Sequence, residues 1–336
     1  GDNPLKISKA TALGINGFAI AFEKLVPDLL IVLGDRFEIL SAVIPALYEK
    51  IPIAHIHGGE VTEGAIDEAI RHSITKFSSI HFVATEFYRK RVIQLGENPS
   101  KVFNVGGMGI DVIQNTKKLS KKKLSRDLKI KFKDKIFLIT YHPVTLENSS
   151  SESQFKNLLN ALLTYKNINY IFTSPNADAN NIIITRLIKE FVKKNSNAYF
   201  FESLGKEKYY SMLRIVDLVI GNSSSGIIEV PYFNIPTINI GDRQNGRLKA
   251  KSIINCKPQK KNIIDSINQS LTKKFIKICS KNDNLYGIGG SGKKSMPTLP
   301  IIRNLFFRMP SYKVITYSFV KPFYFFICDM MALLLF

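Results

Sequence analysis

From about residue 25 to residue 290, short unbroken apolar runs alternate with stretches of helical spacing. Leu29-Leu30-Ile31-Val32-Leu33 is apolar throughout, the pattern of a central strand in a parallel sheet buried on both faces. Phe37 to Lys50 has helical spacing, and residues 51–56 predict the next strand. Further strands are predicted at 80–84, 102–105, 136–140, 170–173, 198–201 and 218–221. Helices are predicted at 7–25, 86–95, 152–164, 181–194 and 206–215, with Thr85 capping the second of these. Strand and helix alternate throughout, so the fold class is α/β, with doubly wound sheets. The lysine-rich stretch 120–135 lacks a strong period and reads as the crossing into a second domain. The expected division is 1–120, 121–290, and an atypical apolar tail at 291–336.

A chain of 336 residues is long enough for two domains with ample cores, and 45% hydrophobic content is ordinary for a globular protein. The net charge of +20 is not ordinary. A nucleic-acid partner is not expected, because the lysines come without an Arg/aromatic platform or zinc-finger spacing. A solvated basic surface, compatible with a cleft for a nucleotide diphosphate, is the reading preferred. Three widely spaced cysteines, Cys256, Cys279 and Cys328, make neither a metal knuckle nor a disulfide framework, which fits a cytoplasmic location. Residues 319–336 are apolar and aromatic but interrupted by Lys321, Pro322 and Asp329, so membrane association is not expected of this tail.

Candidate chemistry collects where predicted strands end. Gly34-Asp35-Arg36 follows the first strand, and His57-Gly58-Gly59-Glu60 follows the second. A helix then carries Asp67, Glu68, Arg71 and His72. Taken singly, such residues are more often surface ion pairs and turn residues. Two successive strand ends loaded with acid–base groups favour an active site. In the second half, His142-Pro143 ends one strand and Asn176 follows another. Gly221-Asn222-Ser223-Ser224-Ser225-Gly226 joins a strand to a helix, where backbone N–H groups and hydroxyls can approach a diphosphate. Any serine-rich strand–helix turn has this form, so the motif alone is weak.

These motifs carry a family resemblance. Gly34-Asp35-Arg36-Phe37-Glu38, residues 55–60 and residues 67–76 resemble the hydrolysing UDP-N-acetylglucosamine 2-epimerases of sialic-acid biosynthesis. The likeness continues through His142-Pro143-Val144-Thr145, residues 174–178, residues 221–226 and Gly241-Asp242-Arg243-Gln244-Asn245-Gly246-Arg247. It implies two Rossmann-like domains facing a cleft (GT-B type) and a UDP-sugar substrate. It further implies a homodimer or homotetramer, with neither metal nor other cofactor. The substrate is UDP-N-acetylglucosamine or a UDP-2,4-diacetamido-trideoxy-hexose. UDP leaves C1 as a base takes the C2 proton; water then adds at C1, and C2 is reprotonated from the opposite face. By the same resemblance Asp35, His57, Glu60, Asp67, Glu68 and His142 are the catalytic candidates. Arg36, Arg71, Asn176, Ser223, Ser224, Glu229 and Arg243 are the substrate-binding ones. Many relatives carry Glu where this chain has His57, so either His57 takes over the proton transfer, or Glu60 does, or the position is only supportive.

The resembling enzymes also have further βα units before residue 20, with a Gly-Ser-Arg-type phosphate turn. The first domain is therefore expected to be incomplete, with an exposed edge beside the strand at Leu29. Two other classes compete with the epimerase: a GT-B glycosyltransferase, which has no need of the His57/Glu60/Glu68 cluster, and a non-catalytic sugar-nucleotide-binding remnant.

Overall fold

The computed structural model describes residues 4–62, 66–143, 151–175, 181–281 and 284–291, with the backbone of 313–318 and 326–329. Along the chain run α1 (Pro4–Leu25), β1 (Leu29–Leu33), α2 (Phe37–Tyr48), β2 (Ile53–Ile56) and α3 (Asp67–Phe77). Then come β3 (Ile80–Val83), α4 (Glu86–Gln94), β4 (Val102–Asn104), α5 (Met108–Asn115) and α6 (Lys121–Leu128). Next are β5 (Lys135–Thr140), α7 (Ser151–Leu162), β6 (Ile168–Thr173), α8 (Asn181–Lys194), β7 (Ala198–Phe201) and α9 (Gly205–Met212). The chain continues with β8 (Leu218–Gly221), α10 (Ser224–Ile228), β9 (Thr237–Ile240) and β10 (Ile253–Cys256). It closes with α11 (Lys260–Ser270), α12 (Lys273–Ser280), β11 (Lys313–Ser318) and β12 (Phe326–Asp329). None of the described helices is long and apolar enough to cross a membrane.

The chain divides into two compact units, one of 1–60, 66–111 and 289–336, the other of 61–65 and 112–288. Each is a Rossmann-like domain built on a six-stranded sheet, ordered β12-β11-β1-β2-β3-β4 in the first and β10-β9-β8-β5-β6-β7 in the second. All pairings are parallel except β11 with β12. The continuous apolar runs are buried on both faces as that topology requires: β3, β8 and β9 are buried at every residue. In the second unit Phe137, Phe155 and Phe172 are completely enclosed in one large core.

Three expectations change. Within 120–135, Ser120 caps α6 by accepting from Lys123 N–H at 3.2 Å, and the helix buries only Leu124 and Leu128. A helix with so narrow an apolar stripe leaves little periodicity to read. The edge of β1 is not open, because β11 pairs with it in parallel, from Leu29 opposite Val314 to Leu33 opposite Ser318. The segment read as a tail thus supplies two strands to the first sheet. An unpaired edge of backbone donors and acceptors is a ready template for any short β-prone segment of the same chain.

Two core features position the strand ends. His55 in β2 is fully buried, with Nε2 3.1 Å from the Gly34 carbonyl and Nδ1 3.2 Å from the Thr75 hydroxyl. The carbonyl can only accept, so Nε2 carries the proton and ties the end of β1 to β2 and α3. In the second unit, Gly221 ends β8 with φ of 143°, and a Cβ there would lie 1.8 Å from the Thr140 carbonyl oxygen. Only glycine lets β8 approach β5 this closely.

Gly221→Ala is therefore expected to lower stability by about 3 kcal/mol or to prevent folding, measured by urea unfolding followed by circular dichroism. A pH effect follows from His55 and from His142, both held neutral. Burial, chiefly, lowers each to about 3 from an ordinary 6.5. In that window the unfolded chain binds the extra protons, so stability falls as pH drops from about 6.5 towards 3. His55→Gln should make the decline between these pH values shallower by about one proton, about 1.4 kcal/mol per pH unit. Equal slopes in urea titrations of the variant and the parent would contradict this.

Candidate functional site

In the first unit the site is organised around one buried cation. Arg71 lies a turn into α3 and is 1% exposed. Its Nε donates to Asp35 Oδ2 at 3.0 Å, and Nη2 donates to the same oxygen. Nη1 donates to the Glu60 carbonyl at 2.7 Å and to Glu68 Oε2 at 2.8 Å. Burial alone would lower its pKa, but the charges of Asp35 and Glu60 outweigh that and raise it. The guanidinium thereby joins the end of β1, the turn after β2 and the start of α3. Glu68 also pairs with His72 Nε2 at 3.0 Å and with Arg91 at 3.7 Å, as the i,i+4 spacing on α3 and the neighbouring α4 allow.

The turn after β2 places a second pair. His57 has φ of 68°, a left-handed conformation that a non-glycine residue adopts at a cost. This aims its ring back along the turn, and Nδ1 lies 2.6 Å from Glu60 Oε1. The Met108 backbone N–H donates to Nε2 at 3.4 Å, which leaves the ring proton on Nδ1, directed at the carboxylate. Gly59 (φ of 76°) lets the turn pass close to α4, where a Cβ at this position would lie 2.7 Å from the Tyr88 carbonyl oxygen. Glu60 is 4% exposed and, held by this turn, reaches His57 through its side chain and Arg71 through its backbone.

The carboxyl edge of the second sheet has its own hub. The Asn222 side chain, 1% exposed, accepts from His142 N–H at 2.7 Å and donates to the His142 carbonyl at 2.8 Å. The Asn222 carbonyl accepts from Arg243 at 3.1 Å and from Gln244 at 2.9 Å. His142 is buried and, by burial first and Arg243 second, stays neutral. Close by, Glu229 accepts from Tyr210 at 2.8 Å and from the Ser225 hydroxyl, which lies 2.6 Å from the Tyr209 hydroxyl. Burial raises the Glu229 pKa against the two hydrogen bonds, which lower it.

Of the residues singled out from sequence, Asp35, His57, Glu60, Glu68 and Arg71 come together in one network. Asp67 opens the same helix half-buried, while Arg36 turns to Glu38 at 3.3 Å. His142 and Arg243 meet at Asn222. Ser223 precedes α10, Ser224 begins it, and Glu229 follows it. Asn176 lies outside the described residues. Sequence reasoning passed over Asn222, Gln244, Tyr209 and Tyr210. Asn222 stood inside the Gly-Asn-Ser-Ser-Ser motif and carried a signal; the tyrosines reach Glu229 and Ser225 only through the tertiary fold. Among the described residues no group of three or more His, Cys, Asp or Glu side chains is placed to hold a metal ion. Carboxyl groups, a neutral histidine and arginine cations are suited to proton transfer and to holding an anionic leaving group.

The profile of the UDP-N-acetylglucosamine 2-epimerase family matches residues 2–299. The chain is 44% identical over 281 residues to a GDP/UDP-N,N'-diacetylbacillosamine 2-epimerase (hydrolyzing) of Campylobacter jejuni, covering 83% of this chain and 71% of that one. It is 42% identical to the polysialic acid biosynthesis protein P7 of Escherichia coli, covering 81% and 69%. It is 35% identical to a UDP-N,N'-diacetylbacillosamine 2-epimerase (hydrolyzing) of Legionella pneumophila, covering 88% and 77%. Its fold is similar to the crystal structure of a UDP-GlcNAc 2-epimerase from Neisseria meningitidis bound to UDP-GlcNAc. The TM-score is 0.77 at 21% identity, over 88% of this chain and 82% of that one. The chain belongs to the UDP-N-acetylglucosamine 2-epimerase family.

Proposed function

We propose that the chain catalyses hydrolysing 2-epimerisation of a UDP-linked 2-acetamido sugar, releasing UDP and the 2-epimeric free sugar. The observation that carries this reading is the buried Arg71, which holds the Asp35 and Glu68 side chains on either side of it, 26% and 23% exposed. One of them removes the C2 proton while the C1–O bond to UDP breaks, giving the unsaturated sugar. Water then adds across the double bond, its hydroxyl to C1 and a proton to C2 from the opposite face. Two carboxyl groups held in different environments suit the two proton steps. His57 and Glu60 share a proton along their 2.6 Å contact and act as one proton-carrying unit, so neither is replaced without disturbing the other. Asp67 is a further candidate acid on the same helix.

In the second unit, Ser223, Ser224 and Glu229 hold the nucleotide, with Glu229 on the ribose hydroxyls and Tyr210 and Ser225 orienting it. Neutral His142 and Arg243 bind the diphosphate: the imidazole donates a hydrogen bond, and the guanidinium supplies the charge. Because His142 is neutral, it stabilises the leaving oxygen by hydrogen bonding rather than as a pre-charged acid.

The names of the relatives bear on the sugar. Two of the three are named for N,N'-diacetylbacillosamine, the one at 44% identity among them. This favours a UDP-2,4-diacetamido-trideoxy-hexose over UDP-N-acetylglucosamine. With both offered, the former is expected to show the higher kcat/KM, read as coupled release of UDP and free sugar. Preference for UDP-N-acetylglucosamine would return the reading to the simpler sugar; release of UDP with sugar transferred to an acceptor would replace epimerase by glycosyltransferase.

Asp35→Asn and Glu68→Gln are each expected to lower kcat by about a hundredfold or more while UDP still binds. Wild-type turnover in either variant would remove it from the proton-transfer steps. Ser224→Ala and Glu229→Ala are expected to weaken UDP binding by about tenfold each with the fold intact, and unchanged calorimetric affinity in both would move the nucleotide site elsewhere.

A further inference from the structure

The surplus positive charge is not where the proposed nucleotide chemistry is. In a parallel sheet every strand starts on one edge and ends on the other, and the residues assigned to the nucleotide lie at or beyond the carboxyl ends of β5, β8 and β9. Exposed lysines gather on the opposite edge. Lys131 stands in the segment leading into β5, Lys166 in that leading into β6, and Lys193 and Lys194 in the last turn before β7. These three strands are neighbours in the order β5-β6-β7, so residues far apart in sequence converge on one rim, with strand starts about 5 Å apart. Residues 117–135 alone hold ten basic against two acidic residues. The exposed lysines on the carboxyl side, by contrast, are interspersed with Glu202, Glu207 and Asp242.

Folding does not call for this charge. Lys121, Lys122 and Lys123 fill the first turn of α6, the end where the helix dipole disfavours cations, with no acidic residue in that turn, and Lys121 lies over the Phe132 ring at 5.7 Å. Among the described residues, no ion pair involves Lys131, Lys166, Lys193 or Lys194. Lys135 reaches an acid, Asp217 at 3.6 Å, and Arg126 reaches Asp127 at 3.4 Å.

An apolar feature accompanies the rim. Between α7 and α8 runs a groove of about 370 Å³ whose floor includes Leu159, Leu187 and Phe191 and whose border carries Lys156 and Lys194 with one acid, Glu190. Leu163, at the rim end of this groove, is 55% exposed.

We propose that this amino-terminal edge of the second sheet is a docking surface for an anionic lipid bilayer. Clustered lysines on flexible stems fit a field of mobile phosphate headgroups, and the exposed leucine among them fits the apolar layer beneath. A nucleic acid is the poorer partner: among the described residues the rim exposes no aromatic ring on which bases could stack, and the forked Arg126 is turned to Asp127 at 3.4 Å. The contact is peripheral and electrostatic, and therefore reversed by salt.

The test is co-sedimentation of the full chain with phosphatidylcholine vesicles, with and without about 30 mol% phosphatidylserine. Binding is expected only to the anionic vesicles and is expected to disappear at high salt. The combined variant Lys131→Glu, Lys166→Glu, Lys193→Glu and Lys194→Glu should bind them at least about a hundredfold more weakly. Reversing four lysines on the carboxyl side, Lys206, Lys257, Lys260 and Lys261, makes the same change in net charge and should leave most of the binding in place. Unfolding midpoints show whether each variant retains the fold. Absence of binding to anionic vesicles, or equal loss in the two sets of variants, would overturn the proposal. Tighter binding of a duplex RNA than of the vesicles, lost with the rim lysines, would reassign the rim to nucleic-acid phosphate and overturn it as well.

Discussion

Everything in the first unit's site depends on burying one guanidinium. A cation taken out of water is costly unless its donors are satisfied and its charge is met. Arg71 meets the condition with two carboxylates and a backbone carbonyl drawn from three separate elements. The requirement works in both directions. The elements must come together for Arg71 to be buried, and Arg71 in turn keeps Asp35 and Glu68 close to each other when their like charges would drive them apart. His55 supports the arrangement from below, fastening Gly34, the residue before Asp35, to the middle of α3.

The second unit solves a similar problem without a charge. A strand end that must present a side chain has backbone groups left without ladder partners. Asn222 satisfies both backbone groups of His142 with its own amide, and its carbonyl accepts from Arg243 and Gln244. One buried amide thus binds the end of β5, the end of β8 and the loop after β9. Gly221 makes this possible, since no other residue allows the backbone to pass Thr140 at that distance.

The sheets were largely legible in the sequence because buried parallel strands are written as unbroken apolar runs; β1, β7 and β8 and the helix α8 follow the pattern residue by residue. Less legible were elements whose apolar content is thin or whose partners are remote. The helix α5 starts within Gly106-Gly107-Met108-Gly109, which reads as a turn, and β11 has meaning only beside β1. The same division holds for the site. That Asp35, Glu68 and Arg71 sit at one edge follows from counting strands and helices. The Tyr210–Glu229 contact joins residues 19 apart through packing, and no local pattern announces it.

His57 shows how a change of residue type carries its surroundings with it. Its backbone is left-handed, where histidine is found more readily than most residues and glutamate gains no such tolerance. Its ring donates to Glu60, a group with little access to water. A glutamate at 57 with the same backbone would face Glu60 carboxylate to carboxylate, and one of the two would have to hold a proton. The histidine instead meets the Glu60 carboxyl group with a ring N–H. The identity of residue 57 and the partner presented to Glu60 are therefore one choice, made by a turn whose path Gly59 permits.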